Sequence, residues 1–482
     1  MSNPVSKLEG NAIGLREVVF QSICSMAPGA AIAASIPFGS PLAGGALPLA
    51  VLFAFIGILF TASSIGQLAK HIPAAGSVAT YSAIGLRPWV GYLVGWAYAA
   101  VEVLIVPLVM LQLGYTVAGE WNANSKGFPL GSWWVFMTLG TLLVCFLVYR
   151  GVRTSAKVGT WLGFFEITVF VLLGIFLVFK AGHNNTLSVF TTAHANAKGF
   201  HGWSGVIAGS VFTLLAFSGF EAAAPLAEES KDPRKNVPKA IMIATVSIAA
   251  VYIFTTYAAT VVFGPDKFKD FAGYNNGVPW DGLAKGVSGV FYVFVIIAIV
   301  NSTIANANAG ANVFTRTAYA FGRVGAFPRS FANLDAKYKS PRNALLWQLI
   351  IGLVLGLGLG FKYTPQVAFG IVATGLVVIV VLVYIVANIA CIGYYAKHRK
   401  EERHLFLHII VPVIGVLFLI PGFLNAAGIT GIPGLGFIVS LAKPLSYAAY
   451  FMAVWMAVGV ISLFVLKKKN PKAIQEVATI HV

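Results

Sequence analysis

Charge is scarce in this chain. Asp, Glu, Lys and Arg together make up 10% of its 482 residues, while apolar residues make up 58%. A soluble domain carries about 25% charged residues, and a mean hydropathy of +0.82 completes the exclusion. Cysteine is scarce too: Cys24, Cys145 and Cys391 all sit in apolar stretches, so no disulfide framework is indicated and each reads as a small buried hydrophobe. No Cys/His cluster has metal-ligand spacing, and His71, His183, His194, His201, His398, His404 and His408 are expected at span ends or in loops, solvated. No Gly-rich phosphate loop follows a strand, and no nucleophile–base pairing is visible. The composition therefore points away from an enzyme, from a metal site and from any bound cofactor.

What the chain has is apolar length. About twelve stretches of roughly 20 or more residues are long enough to cross a bilayer: 16–40, 44–69, 89–118, 131–150, 157–180, 203–229, 237–263, 284–315, 343–361, 365–396, 405–426 and 440–466. The first is no cleavable leader, because it lacks a short apolar core with a small-residue cleavage site. With the N-terminus inside, the connections on that side hold 25 of the 33 Lys and Arg residues, including Arg150, Arg153, Lys157, Lys231, Arg234, Lys235, Lys239 and Lys467–Lys469. The other side holds eight: Lys126, Lys180, Lys198, Lys267, Lys269, Lys285, Lys362 and Lys443. This asymmetry predicts a multi-pass protein of the plasma (inner) membrane with both termini cytoplasmic. The net charge of +17 is then a topology signal, and no basic groove with interleaved aromatics suggests nucleic acid. The polar connections, the longest being 182–202, 264–283 and 319–342, are too short for a separate soluble core. The reading is a single transmembrane domain over 1–466 and a loose cytoplasmic tail over 467–482.

Two spans are interrupted. "SMAPGAA" (Ser25–Ala31) places Pro28 and Gly29 near the middle of the first. Proline removes a backbone donor and clashes with the preceding turn, so the helix should break there. In lipid a break exposes unsatisfied backbone, so the segment must be buried in protein or line a wet cavity. The sixth span, "FTLLAFSGFEAAAPLAEE" (Phe212–Glu229), is interrupted at Ser218-Gly219 and again at Pro225. Taken singly, either break reads as an ordinary kink. Gly29 and Gly219 are 190 residues apart, however, in the first and sixth spans, and five crossings from one to the other make the two spans run in opposite directions, which is the arrangement an inverted repeat requires. Gly/Pro-interrupted spans at matching positions of two halves point to a transporter's midplane site. Half-helix N-termini suit a carboxylate, and half-helix carbonyls suit an ammonium or another cation. A zwitterionic amino acid needs both. The expected substrate contacts are Ser25, Met26, Ala27, Pro28, Gly29, Ala216, Phe217, Ser218 and Gly219, with Phe217 as an occluding ring.

Of sixteen acidic residues, Glu102, Glu166 and Glu221 lie well inside apolar spans. Each would cost about 2.5 kcal/mol or more facing lipid, so each should face the bundle interior. Glu102 reads equally as a coupling residue or as a helix-to-helix tie, and Glu221, two residues after the break, as a gating or proton-linked group. No basic residue lies deep in a span. That argues against acidic amino acids as substrates and permits neutral or cationic amino acids and amines. "NSTIANANAGANVFTRT" (Asn301–Thr317) is unusually polar: Asn301 and Ser302 are candidates to line the cavity, or small polar residues that hold helices together.

"FSGFEAAAPLAEESKDPRKNVPKAI" (Phe217–Ile241) resembles the sixth-helix signature of the amino acid–polyamine–organocation permeases. "HIPAAGSVATYSAIGLRPWVGYLVGW" (His71–Trp96) is similar to that superfamily's pattern between helices 2 and 3. "TRTAYAFGRVGAFPRSFANLDAKYKSPRNAL" (Thr315–Leu345) is similar to its segment after helix 8. The resemblance covers nearly the whole chain. It implies an all-α polytopic fold of the leucine-transporter-like, five-plus-five inverted-repeat type, with two extra C-terminal helices. Repeat one then spans about 16–180, repeat two about 203–396 and the appended helices about 405–466. Many members carry a Gly-x-Gly break in helix 1, where this chain has Ala27-Pro28-Gly29. In cationic-amino-acid-like members some fifth helices carry a Lys, standing in for a sodium ion, where this chain has Glu166. An acid there can carry a proton, hold a cation or pair with a cationic substrate, or it can be structural. The functional expectation is a secondary active transporter of amino acids or related amines, with protons as the expected coupling partner. An amino acid/polyamine exchanger and a non-transporting nutrient receptor on the same scaffold are the alternatives.

Overall fold

The computed structural model describes residues 13–74, 76–124, 130–151, 156–228, 230–323, 325, 327–338, 340–471 and 474. Lys126, Arg153 and most of the expected tail lie outside the described residues. Eleven helices among those described are long and apolar enough to cross a membrane, and the helix Trp133–Tyr149 is a shorter apolar companion. In chain order they are α1 (Leu15–Ser35), α2 (Pro37–His71), α3 (Pro88–Glu120), α4 (Trp133–Tyr149), α5 (Val158–Asn184) and α6 (Trp203–Ala227). There follow α7 (Pro233–Phe263), α8 (Gly289–Arg323), α9 (Arg342–Lys362), α10 (Pro365–Lys397), α11 (Phe406–Ala426) and α12 (Tyr447–Lys469). The strand content described is one small antiparallel hairpin between α5 and α6, with Asn196 opposite His201.

Local chemistry sets the helix boundaries. Glu17 caps α1 by accepting from the Gly14 amide at 3.0 Å, and Pro365 opens α10 behind Thr364, whose hydroxyl accepts from Val367 N at 3.2 Å. Proline suits a first helical turn because its missing N–H has no partner there. The segment between α2 and α3, read from sequence as a connection, contains a further helix, Ser77–Gly85. The stretch after α7 is likewise ordered, as the 3₁₀ helix Pro265–Gly273 and the helix Pro279–Lys285.

Burial sorts the helices into a centre and a rim. In α3, α6 and α10, 83% of the apolar window is buried, against 17% in α12. In a bilayer, packing and polar ties rather than the hydrophobic effect hold helices together. Asn388 on α10 takes the hydroxyl of Ser64 at 2.7 Å and gives its amide to Thr61 at 2.9 Å, both on α2. Trp96 on α3 and Trp455 on α12 each donate an indole N–H to the other's carbonyl, at 3.0 and 3.1 Å. Of the histidines expected in solvent, one is buried and another is largely enclosed. His408 is 4% exposed and stacks on Tyr395, and the His71 ring, 9% exposed, faces Glu402 at 3.1 Å. The end of α2 tucks beneath the α10–α11 connection, which a linear reading places only at a span end.

Candidate functional site

The first break falls at Met26-Ala27, one residue before the position the sequence suggests. The helix Leu15–Ser25 ends with Met26 N bonded to Ser22 O at 3.1 Å. Ala27 then adopts the left-handed region, φ 46°, and Pro28 is the first residue of the resumed helix. Proline thus starts the second half rather than interrupting the first, as its geometry prefers. The second break has the same form. Helix Trp203–Phe217 ends, Ser218 is extended (ψ 134°), and Gly219 turns the chain with φ 102°. A Cβ at Gly219 would meet the Ser25 backbone at 2.8 Å, so the two breaks touch there. Ser22 binds them further: its hydroxyl donates to Phe220 O at 2.8 Å and accepts from Ala223 N at 3.0 Å.

The carbonyl ends of both first halves converge on one side chain that the sequence reading missed. Tyr252 on α7 is fully buried, and its hydroxyl lies 3.1 Å from Met26 O and 3.1 Å from Ala216 O. A buried Tyr hydroxyl needs a partner, and that requirement is the only signal a lone tyrosine in an apolar span offers. Phe217 is also fully buried, edge-on to Tyr252 with 5.3 Å between ring centroids.

Glu166, Gly29, Asn301 and Ser302 come together. Glu166 on α5 is 3% exposed. One carboxylate oxygen accepts the Gly29 amide at 3.2 Å, and the other accepts the Asn301 side-chain amide from α8 at 2.5 Å. Gly29 is closed in on this side: a Cβ there would meet Ala298 O and Ser302 Cβ at 3.0 Å and Glu166 Oε2 at 3.2 Å. Beyond the break, Gln112 on α3 donates to Ala30 O at 3.0 Å.

Glu221 and Glu102 form a separate group. Glu221 accepts the hydroxyls of Tyr98 on α3 and Tyr384 on α10, both at 2.9 Å. The backbone amides of Gly219 and of Glu221 itself face the same carboxylate, and Tyr98 also reaches Glu102, 6% exposed on α3.

At the end of the bundle that carries the α7–α8 connection, a cavity of about 400 Å³ opens among Phe38, Tyr115, Asn276, Thr364 and Gln366. Beside it stand two further buried acids that no linear pattern revealed. Glu120 accepts from Asn275 and Lys285, each at 3.1 Å, and from Tyr292. Asp281 is fully buried near Glu120, and burial first, then the Glu120 charge, pushes its carboxyl well above the usual aspartate range. Among the described residues, no group of three or more His, Cys, Asp and Glu is placed to hold a metal.

Eleven membrane-length helices among the described residues, packed around buried carboxylates, define a multi-pass membrane protein. The amino acid permease family model matches residues 17–474, so the chain belongs to the amino acid permease family, whose members are permeases rather than enzymes. The low-affinity putrescine importer PlaP of Escherichia coli K12 is 27% identical over 90% of this chain and 89% of its own length. The branched-chain amino acid permease BcaP of Lactococcus lactis is 24% identical over 96% of this chain and 94% of its own. The lysine-specific permease LysP of E. coli K12 is 26% identical over 64% of this chain and 63% of its own.

Proposed function

We propose that the protein is a secondary active transporter that moves amino acids or related amines across the plasma membrane together with protons. Access alternates around the breaks in α1 and α6, within a five-plus-five inverted repeat extended by α11 and α12. Both termini lie in the cytoplasm, so the cavity beside the α7–α8 connection faces outward. The relatives' named substrates, putrescine, branched-chain amino acids and lysine, support this class of cargo.

The observation that carries the reading is Glu166. It is a buried acid on one helix that holds the unwound backbone of a second, at Gly29, and a side chain of a third, at Asn301. Both contacts are donated to it, an arrangement that suits the carboxylate. A proton on Glu166 removes one acceptor position and weakens that three-helix link, so the charge state biases how α1 sits against α5 and α8. An intramembrane acid of this kind is a proton-relay position by its chemistry.

The test is uptake by the purified protein in proteoliposomes, using radiolabelled putrescine, lysine and leucine, with and without an inward proton gradient. Accumulation of one of them above its external concentration, abolished by a protonophore, is the expected result. Binding without accumulation would assign the chain to a receptor role. Accumulation that needs a counter-substrate inside and ignores the gradient would make it an exchanger.

A further inference from the structure

We infer that the cargo is an organic amine without an α-carboxylate, because the chain's own carboxylates already occupy the amide ends that such a group would use. The inference rests on the transporter reading and narrows its substrate class. A resumed half-helix offers its first free N–H groups to an anion. In α1 the Ala27 N–H goes to Cys24 O at 3.1 Å, and Pro28 has no N–H to give. The Gly29 N–H is held by Glu166 at 3.2 Å. In α6 the Gly219 and Glu221 amides face the Glu221 carboxylate, Ala222 N bonds Gly219 O, and Ala223 N bonds Ser22 Oγ, both at 3.0 Å. At the α1 break a carboxylate of the protein thus holds the first N–H that the resumed half-helix can offer, and at the α6 break the Glu221 carboxylate lies at the start of the second half.

The opposite ends offer the reverse chemistry. Met26 O and Ala216 O both point at the Tyr252 hydroxyl, which has a single proton to give. One of the two carbonyls therefore keeps its acceptor capacity for a cation. Among the described residues, the Lys and Arg ion pairs involve Glu120, Glu401 and Glu402, and none reaches Glu102, Glu166 or Glu221. An arriving carboxylate would meet carboxylates with no counter-cation. An arriving ammonium group would meet acceptors on both sides. Glu166 therefore acts as a specificity-determining residue that takes the place of a substrate carboxylate.

The test compares amino acids with their decarboxylated amines: lysine with cadaverine, ornithine with putrescine, and leucine with 3-methylbutylamine. Thermal stabilisation of the wild-type protein in detergent ranks binding, and proteoliposome uptake ranks transport. The amine of at least one pair should outrank its parent amino acid by about 100-fold, the scale on which juxtaposed like charges suppress a wrong partner. Glu166→Ala, which frees the Gly29 amide, should gain binding of the matching amino acid, a gain that an unfolded variant cannot produce. Should that variant fail to fold, the wild-type ranking decides alone. Amino acids that bind as well as or better than their amines would overturn the inference and leave the transporter reading intact. A folded Glu166→Ala with no new amino acid binding would overturn the assignment of Glu166. Absence of binding and uptake for every pair would sink the transporter reading, and this inference with it.

Discussion

Glu166 and Glu221 are both buried acids at a helix break, yet they belong to different kinds of structure. Glu221 sits on the broken helix itself, faces that helix's own amides, and takes hydroxyls from α3 and α10. It behaves as an internal cap with two tyrosine braces, and it travels with the segment that it stabilises. Glu166 comes from another helix and has one grip on α1 and one on α8. A cap within a segment survives rigid-body motion of that segment, whereas a link between segments must yield when they part. The difference teaches that burial alone does not nominate a coupling residue. What counts is whether the acid's partners lie on elements that can move apart.

The comparison can be broken hardest at the point where the two breaks meet. Gly219→Val adds a branched side chain against the Ser25 backbone, 2.8 Å from a Cβ, at a residue with φ 102°. The expected cost is about 3 kcal/mol or more, from strain and overpacking together. Thermal unfolding should show the loss even without substrate, because the new atoms meet α1 rather than open space. Glu221→Gln comes next. It turns two hydrogen bonds to a charge into neutral ones, since the tyrosine facing the new N–H₂ can rotate its hydroxyl to accept, at about 1–2 kcal/mol, and should lower thermal stability, counterflow and gradient-driven uptake together. Tyr252→Phe should cost about 1 kcal/mol and should loosen both breaks equally, which hydrogen exchange at Met26 and Ala216 can compare.

Asp281 contrasts with both glutamates because, among the described residues, no amide or hydroxyl donates to it. Its carboxyl is raised by burial and by Glu120, so the folded protein binds this proton more tightly than the unfolded chain does. Stability should therefore be greatest at low pH and fall as pH rises above about 3.9, the ordinary aspartate value, toward the raised one. Asp281→Asn should remove that decline, and melting curves of the two proteins across pH will show it.

The spans were legible because length and hydropathy report on lipid directly, and the paired breaks because Gly and Pro mark them. The position of the first break was legible only to one residue, since Pro28 opens a helix as readily as it ends one. The helix Ser77–Gly85 was hidden in a segment that carries no membrane-length run. Partners distant in sequence were not legible at all. Tyr252 finds Met26 across 226 residues, and Glu120 finds Lys285 across 165, so no local pattern predicts either meeting. Glu166 stood out as an acid in a span. Its hold on Gly29, which changes the expected role of the half-helix from gripping a substrate carboxylate to gripping the protein's own, exists only in three dimensions.

The central claim, that Glu166 links moving helices through its charge while Glu221 caps one of them, is tested most directly by Glu166→Gln in proteoliposomes. The variant keeps the side chain's volume and removes the charge change. Uptake driven by a proton gradient should fall by about 100-fold or more, the low end of what a positioned acid–base group contributes, while counterflow at equal pH persists. The melting temperature should drop by what one lost hydrogen bond costs, about 1–3 kcal/mol of stability, because the Gln N–H₂ then faces either the Gly29 N–H or the Asn301 amide. Gradient-driven accumulation at the parent level in Glu166→Gln would contradict the claim and move the coupling role to Glu102 and Glu221.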